Sequence, residues 1–148
     1  MNGLAAMFNS QNRPAEAEKI LRQVVDIRMR VLGPQHPRTL LALHDLAVSR
    51  AGQGKYSDAE EIERGVLAIE ERVQGAAHAD TLTARQELGV ILSREGRLAE
   101  AESLLKQLVA LRRSRPETNP AELADALYEV ARVEALRRKR AAALDYLQ

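Results

Sequence analysis

Cysteine and tryptophan are absent from the 148 residues, and one Phe and three Tyr make up the whole aromatic complement. The lack of cysteine excludes disulfides and thiol chemistry and fits a reducing, cytoplasmic setting. The shortage of aromatics leaves the core to Leu, Ala, Val and Ile. No apolar run approaches a membrane span. The longest early one, "LAAMF" from Leu4 to Phe8, has no basic residue before it and does not read as a secretion signal. A charge excess is missing too: 22 basic against 21 acidic residues give a formal net charge of +1, no general drive towards nucleic acid or an anionic membrane. What remains is 45% hydrophobic and 29% charged, the composition of a folded helical domain.

The chain repeats itself at an offset of 42 residues. "VLGPQHPRTLLALHDLA" from Val31 is answered by "VQGAAHADTLTARQELG" from Val73. Gly33 pairs with Gly75, His36 with His78, Thr39 with Thr81, Leu40 with Leu82 and Gly54 with Gly96. Leu46, Leu88 and Val130 form a triplet, and so do the Ala-Glu pairs at Ala17, Ala59 and Ala101. A unit that recurs in register cannot bury its apolar face alone but can do so against its copies.

Each unit reads as two helices. The second carries a stripe at helical spacing: Ala59, Ile62, Val66, Ile69 and Val73, matched by Ala17, Ile20, Val24, Ile27 and Val31, and by Ala101, Leu104, Leu108 and Leu111. Charged residues such as Glu63 and Glu70 fall off this stripe and are expected on the outward surface. The first helix is expected from about Pro37 to Gln53, with Leu40, Leu43, Leu46 and Ala47 buried; in the next unit Leu82, Leu88 and Leu92 contribute and Arg85 interrupts. Gly54 and Gly96 end these helices in a left-handed turn, with Asn12 in the same place one unit earlier. Ser57 with Glu60 reads as a capping box, and Asn119, Pro120 and Glu122 start another helix. Arg138 occupies the next glycine slot, so no turn is specified there. Ala47, Gly89 and Ala131 in the first helices, and Ala59 and Ala101 at the start of the second, are small where the helices of a pair must approach.

Little here carries reaction chemistry. His36 and His78 sit in equivalent linkers, a full repeat apart, and read as capping or packing residues. No H-x-x-x-H or Cys ligand set exists, so no metal site is expected. His44 and Asp45 are adjacent on a helix and point apart. No serine lies on a nucleophile elbow, and "AGQGKY" lacks the strand-loop-helix setting of a phosphate loop. Neither catalytic residues nor a cofactor are expected. Two basic clusters, Leu111–Arg115 and Leu136–Arg140, read as solvated helix ends that complement the helix dipole. No aromatics interleave with them for base stacking, so no nucleic-acid partner is expected.

The Gly-x-Tyr turn followed by Ala-Glu resembles the tetratricopeptide repeat, and the 42-residue period with "LGPQHPRTL" resembles its kinesin-light-chain type. HEAT and armadillo repeats share the period range but not that turn. The resemblance implies an all-α solenoid of antiparallel helix pairs in a right-handed superhelix. It implies one domain over residues 1–148, with units of about 1–35, 36–77, 78–118 and 119–148, as a segment of a longer array. It further implies a non-enzymatic scaffold whose first helices line a concave face that binds a peptide or partner helix. Carried over residue by residue, that face holds Leu41, His44, Val48 and Ala51; Thr83, Gln86, Val90 and Ser93; and Asp125, Tyr128, Arg132 and Ala135. Where many members carry Asn-Asn, this chain has His44-Asp45, Gln86-Glu87 and Tyr128-Glu129. The alternative is a structural segment that stacks end to end. Weak self-association is expected through uncapped ends, at Leu4, Met7 and Phe8 and at Leu144, Tyr146 and Leu147.

Overall fold

The computed structural model describes residues 14–115, 117 and 119–145. Among them are six helices and no strand: α1 (Pro14–Leu32), α2 (Pro37–Gly52), α3 (Tyr56–Val73), α4 (Ala79–Arg94), α5 (Leu98–Arg113) and α6 (Pro120–Asp145). The fold is an all-α helical-repeat solenoid, with α2 and α4 as first helices and α1, α3 and α5 as second helices. Asn12, Leu4, Met7, Phe8, Tyr146 and Leu147 lie outside the described residues, as does the side chain of Leu144.

The turns repeat to the atom. At Gly54, φ is 77°; its N–H bonds to Ala51 O, and Lys55 N–H reaches back to Arg50 O. At Gly96, φ is 84°, with the same bonds from Gly96 to Ser93 O and from Arg97 to Leu92 O. This pair of bonds satisfies the last carbonyls of a helix and needs a left-handed residue between them, which glycine supplies without a Cβ clash. Gly33 and Gly75 end α1 and α3 with φ of 86° and 91°. The two linker histidines then start the next helices. His36 Nδ1 accepts the N–H of Arg38 at 3.1 Å, and His78 Nδ1 that of Asp80 at 3.3 Å. Asn119 starts α6 in the same manner, its Oδ1 accepting the Ala121 N–H at 3.0 Å. Ser57 departs from expectation: α3 begins at Tyr56, with Ala59 N–H bonded to Lys55 O. Ser57 therefore lies inside the first turn, not ahead of it.

The described residues form two compact units that divide between Ile69 and Glu70, inside α3. In the first, α1 packs on α2 through Leu21, Val25, Ala42 and Leu46, with Val24, Leu43 and Ile62 against them. The buried Leu21, Val25 and Leu46 each contribute about 1.5–3 kcal/mol by leaving water. The expected stripe of α1 is only partly right. Ala17 is buried and Val24 half-buried, but Ile27 is 56% and Val31 74% exposed. The face turned to α2 centres on Leu21 and Val25, and Ile20, Ile27 and Val31 lie on its far flank.

In the second unit α5 packs on both α4 and α6, and α6 also touches α4. Leu105 fills the space beside Gly89: a Cβ built on that glycine would lie 2.7 Å from the Leu105 Cγ and Cδ2. Ala101 is fully buried, as is Ala59 in the first unit. One flank of α6 is buried through Ala126 and Val133. The helix passes Arg138 without a break, because nothing at that position favours the left-handed turn that Gly54 and Gly96 make.

Candidate functional site

The Ala-Glu pair recurs at the start of each second helix. Its alanine lets the helices close, and in two of the three copies its glutamate, Glu18 or Glu102, reaches across to a later element. Glu18 Oε2 accepts from Gln53 Nε2 at 2.9 Å and from Lys55 Nζ at 2.8 Å, while its Oε1 faces Arg22 at 2.7 Å and Arg50 at 3.5 Å. Glu102 does the same in the second unit, paired with Lys106 and with Arg137. Gln53 and Arg137 occupy the same place in the repeat, two periods apart. Hydrogen bonds from Lys55 and Gln53, with the nearby charges of Lys55 and Arg22, outweigh burial and hold the Glu18 carboxyl at about 2 instead of 4.5. A depressed folded-state pKa stabilises the fold above the unfolded value, and that contribution disappears as pH falls from about 4.5 towards about 2. Glu18→Ala is expected to cost about 1.5–3 kcal/mol at neutral pH, the range of a hydrogen bond to a charged group. The difference should vanish in acid. Urea unfolding of both proteins across that pH range measures it; a gap that stays constant with pH would contradict the assignment.

Several polar residues read as surface are inside. Glu63 is 0% exposed and Glu70 is also buried, so neither belongs to an outward surface. Glu63 stands where Leu21 and Leu105 stand in the flanking repeats. Its Oε1 lies 2.8 Å from His44 Nδ1, so the acid is accommodated by a partner on the facing helix α2. Asp45 beside it is half-buried, and burial pushes its carboxyl up against the opposing pull of His44 and Arg28. Arg85, expected to interrupt the stripe of α4, is buried and spans to Gln107 Oε1 at 3.1 Å and to Glu71. Arg112, expected on a solvated helix end, is buried and donates to the carbonyl of Glu122.

The residues assigned by resemblance to the ligand face divide by exposure. On α2, Leu41 is exposed and His44 and Val48 are half-buried, whereas Ala51 is buried. On α4, Thr83 is exposed, with its hydroxyl donating to Ala79 O at 3.0 Å; Gln86 and Val90 are half-buried and Ser93 is buried. On α6, Asp125 and Ala135 are exposed, Tyr128 is 67% exposed, and Arg132 is half-buried and paired with Glu129 at 2.7 Å. Thr83, Gln86 and Val90 share one face of α4, and Asp125, Tyr128 and Arg132 share one face of α6. Ala51 and Ser93 are buried just before the turns that end α2 and α4.

Among the described residues, no cluster of three His, Asp or Glu side chains could hold a metal ion. None of the described helices is long and apolar enough to cross a membrane. A shallow cleft between the start of α5 and the end of α6 is lined by Arg97, Arg137 and Arg140. Their guanidiniums are occupied by Glu100, by Glu102 and by the Gly96 carbonyl.

Tetratricopeptide-repeat family models match residues 1–72 and 81–114. No curated protein matches the chain. Among solved structures, the chain is similar to the nearly identical TPR-like repeats of a Podosopora anserina kinesin light chain. That match has a TM-score of 0.82 and 29% identity, over 88% of this chain and 62% of that one. A single-substitution variant of that array gives a TM-score of 0.81 at the same identity and coverage. BtubC (BKLC) from P. vanneervenii shares the fold, with a TM-score of 0.82 at 18% identity, over 97% of this chain and 58% of that one. The matched region thus spans about three fifths of these structures' length. The fold is a helical-repeat scaffold of a kind that generally serves protein interaction. With two matched repeat regions and 42-residue units, the chain belongs to the tetratricopeptide-repeat family and is of the kinesin-light-chain type.

Proposed function

We propose that the chain is a non-enzymatic interaction scaffold whose first-helix faces bind an extended peptide or a partner helix. The observation that carries this reading is the pairing of Tyr128 and Arg132 on α6. Tyr128 presents a ring that is 67% exposed, one turn from a guanidinium that Glu129 holds in place. Tyr and Arg are the side chains most often found as binding hot spots. Asp125 on α6, and Thr83, Gln86 and Val90 on α4, add hydrogen-bonding and small apolar surface within the same unit. On α2, Leu41, His44 and Val48 are the corresponding contacts. A protein ligand fits this mixture better than a nucleic acid, because Tyr128 is the single strongly exposed aromatic among the described residues.

The test is a partner captured by this chain and then measured by calorimetry. Tyr128→Ala with Arg132→Ala should weaken binding by about tenfold or more, about 1.4 kcal/mol, without lowering the melting temperature. Glu61→Ala with Arg72→Ala, both exposed on α3, is the control and should bind as wild type. Loss of binding in the control and not in the Tyr128 and Arg132 variant would reverse the assignment.

A further inference from the structure

Each first helix carries an acid at the same place in the repeat: Asp45 on α2, Glu87 on α4 and Glu129 on α6, all half-buried. A half-buried carboxylate has lost part of its hydration and needs compensation. α6 supplies it from within. Arg132, one turn on, gives Glu129 Oε2 its Nε at 2.9 Å and its Nη2 at 2.7 Å. On α2 the position of Arg132 is held by Val48. That helix has no cation one turn beyond its acid, and Asp45 makes no hydrogen bond or ion pair among the described residues.

The cations that act on Asp45 are spent elsewhere. His44 bonds Glu63 of α3 at 2.8 Å, and Arg28 of α1 donates to the Arg38 carbonyl at 2.6 Å. Their pull is weaker than the push of burial, which keeps the carboxyl above its usual value. Arg38 itself stands two turns back on α2, about 10 Å along the axis at 1.5 Å per residue.

We infer that Asp45 receives an arginine side chain from the bound partner. This rests on the first-helix faces being the ligand surface, and it names the group that one of them takes. Leu41, Asp45 and Val48 form one stripe along α2, with Leu41 39% exposed and Val48 half-buried. An acid between two aliphatic side chains matches arginine, whose methylene stem lies on apolar surface while its head reaches a carboxylate. Aspartate is one methylene shorter than Glu129, so its charge sits closer to the helix and leaves room for a stem that comes from outside. A guanidinium is also more weakly hydrated than an ammonium, so less is lost when it enters a half-buried place. The partner thus supplies on α2 what Arg132 supplies on α6.

Chemical-shift titration of the 15N-labelled full chain tests this with three blocked tripeptides, acetyl-Val-Arg-Val-amide and its norleucine and glutamate counterparts. The arginine peptide should move the amide signals of residues 41–48 in a saturable way. It should bind at least about tenfold more tightly than the other two, about 1.4 kcal/mol, and the preference should shrink at high salt. Asp45→Asn should remove the preference without lowering the melting temperature, since a carboxylate that bonds nothing does not support the fold. Val48→Arg should remove it too, by supplying the cation from inside. Arg132→Val should add a second set of arginine-responsive signals around Glu129. Equal binding of the arginine and norleucine peptides at α2 overturns the arginine site and leaves the peptide-binding face standing. Silence of all three peptides at α2 overturns both. An arginine preference that survives Asp45→Asn, or an Arg132→Val chain with no new response, also overturns the assignment.

Discussion

Replacing Glu63 by Ala should lower stability by about 3–5 kcal/mol, from the cavity left at a buried site together with the loss of a buried hydrogen-bond partner. Two effects add. The substitution leaves a cavity at a site with zero exposure, and it strips His44 of a bond at 2.8 Å. The neighbouring repeats contain their own control. Position 63 is leucine in both of them, as Leu21 and Leu105, and His44 is matched by Gln86 one period later. Glu63→Leu combined with His44→Gln therefore rewrites this pair in the manner of the next repeat. Since a buried polar pair often does no better than better-packed residues of similar volume, the double variant should equal or exceed wild type. Urea denaturation of the two variants decides the matter. A Glu63→Ala protein as stable as wild type would mean that the carboxylate is solvated in solution.

The second large effect is overpacking at the helix starts. Ala59 and Ala101 have zero exposure, and Ala17 is buried in the same place. Ala59→Leu and Ala101→Leu should each cost about 1–3 kcal/mol, towards the upper end of that range, since the added atoms have no solvent-facing rotamer. Gly89 shows how little slack the second unit has, because even a methyl group there meets Leu105 at 2.7 Å. Thermal melts of the two leucine variants check this. If both melt with the wild type, the alanines are not the closest approach of the paired helices.

The alanines were legible in the sequence because small residues that recur in register mark the places where two helices touch. The glycine turns and the starts of α2 and α4 were legible for a related reason: glycine and proline have narrow conformational uses. Glu63, Glu70, Arg85 and Arg112 were not. A pattern of apolar residues cannot reveal a buried charge, since it treats every charge as a surface residue. The signal that could have found Glu63 was a comparison down the column, where an acid interrupts Leu21 and Leu105. Ile27 and Val31 failed in the opposite sense. Periodicity gives the face of a helix to within about one residue, 100° of rotation, and α1 is turned by about that much towards Leu21 and Val25. The exposures of Tyr128 and Arg132 needed coordinates, because the sequence says which face a residue shares and not what covers it.

The four left-handed glycines, Gly33, Gly54, Gly75 and Gly96, stand at even intervals of 21 residues, half the repeat. Over this stretch the chain has a metre shorter than its repeat: α2, α3 and α4 each fall within one interval between these glycines. Such a metre makes the helices intolerant of insertion in the way a reading frame is. One residue added within α4 would rotate everything after it by about 100° and turn the Gly89 side away from Leu105. One residue added in the connection between Gly75 and His78 would only lengthen a loop. Change in length should accordingly gather between the glycines and the histidines that follow them, and substitution should gather inside the helices.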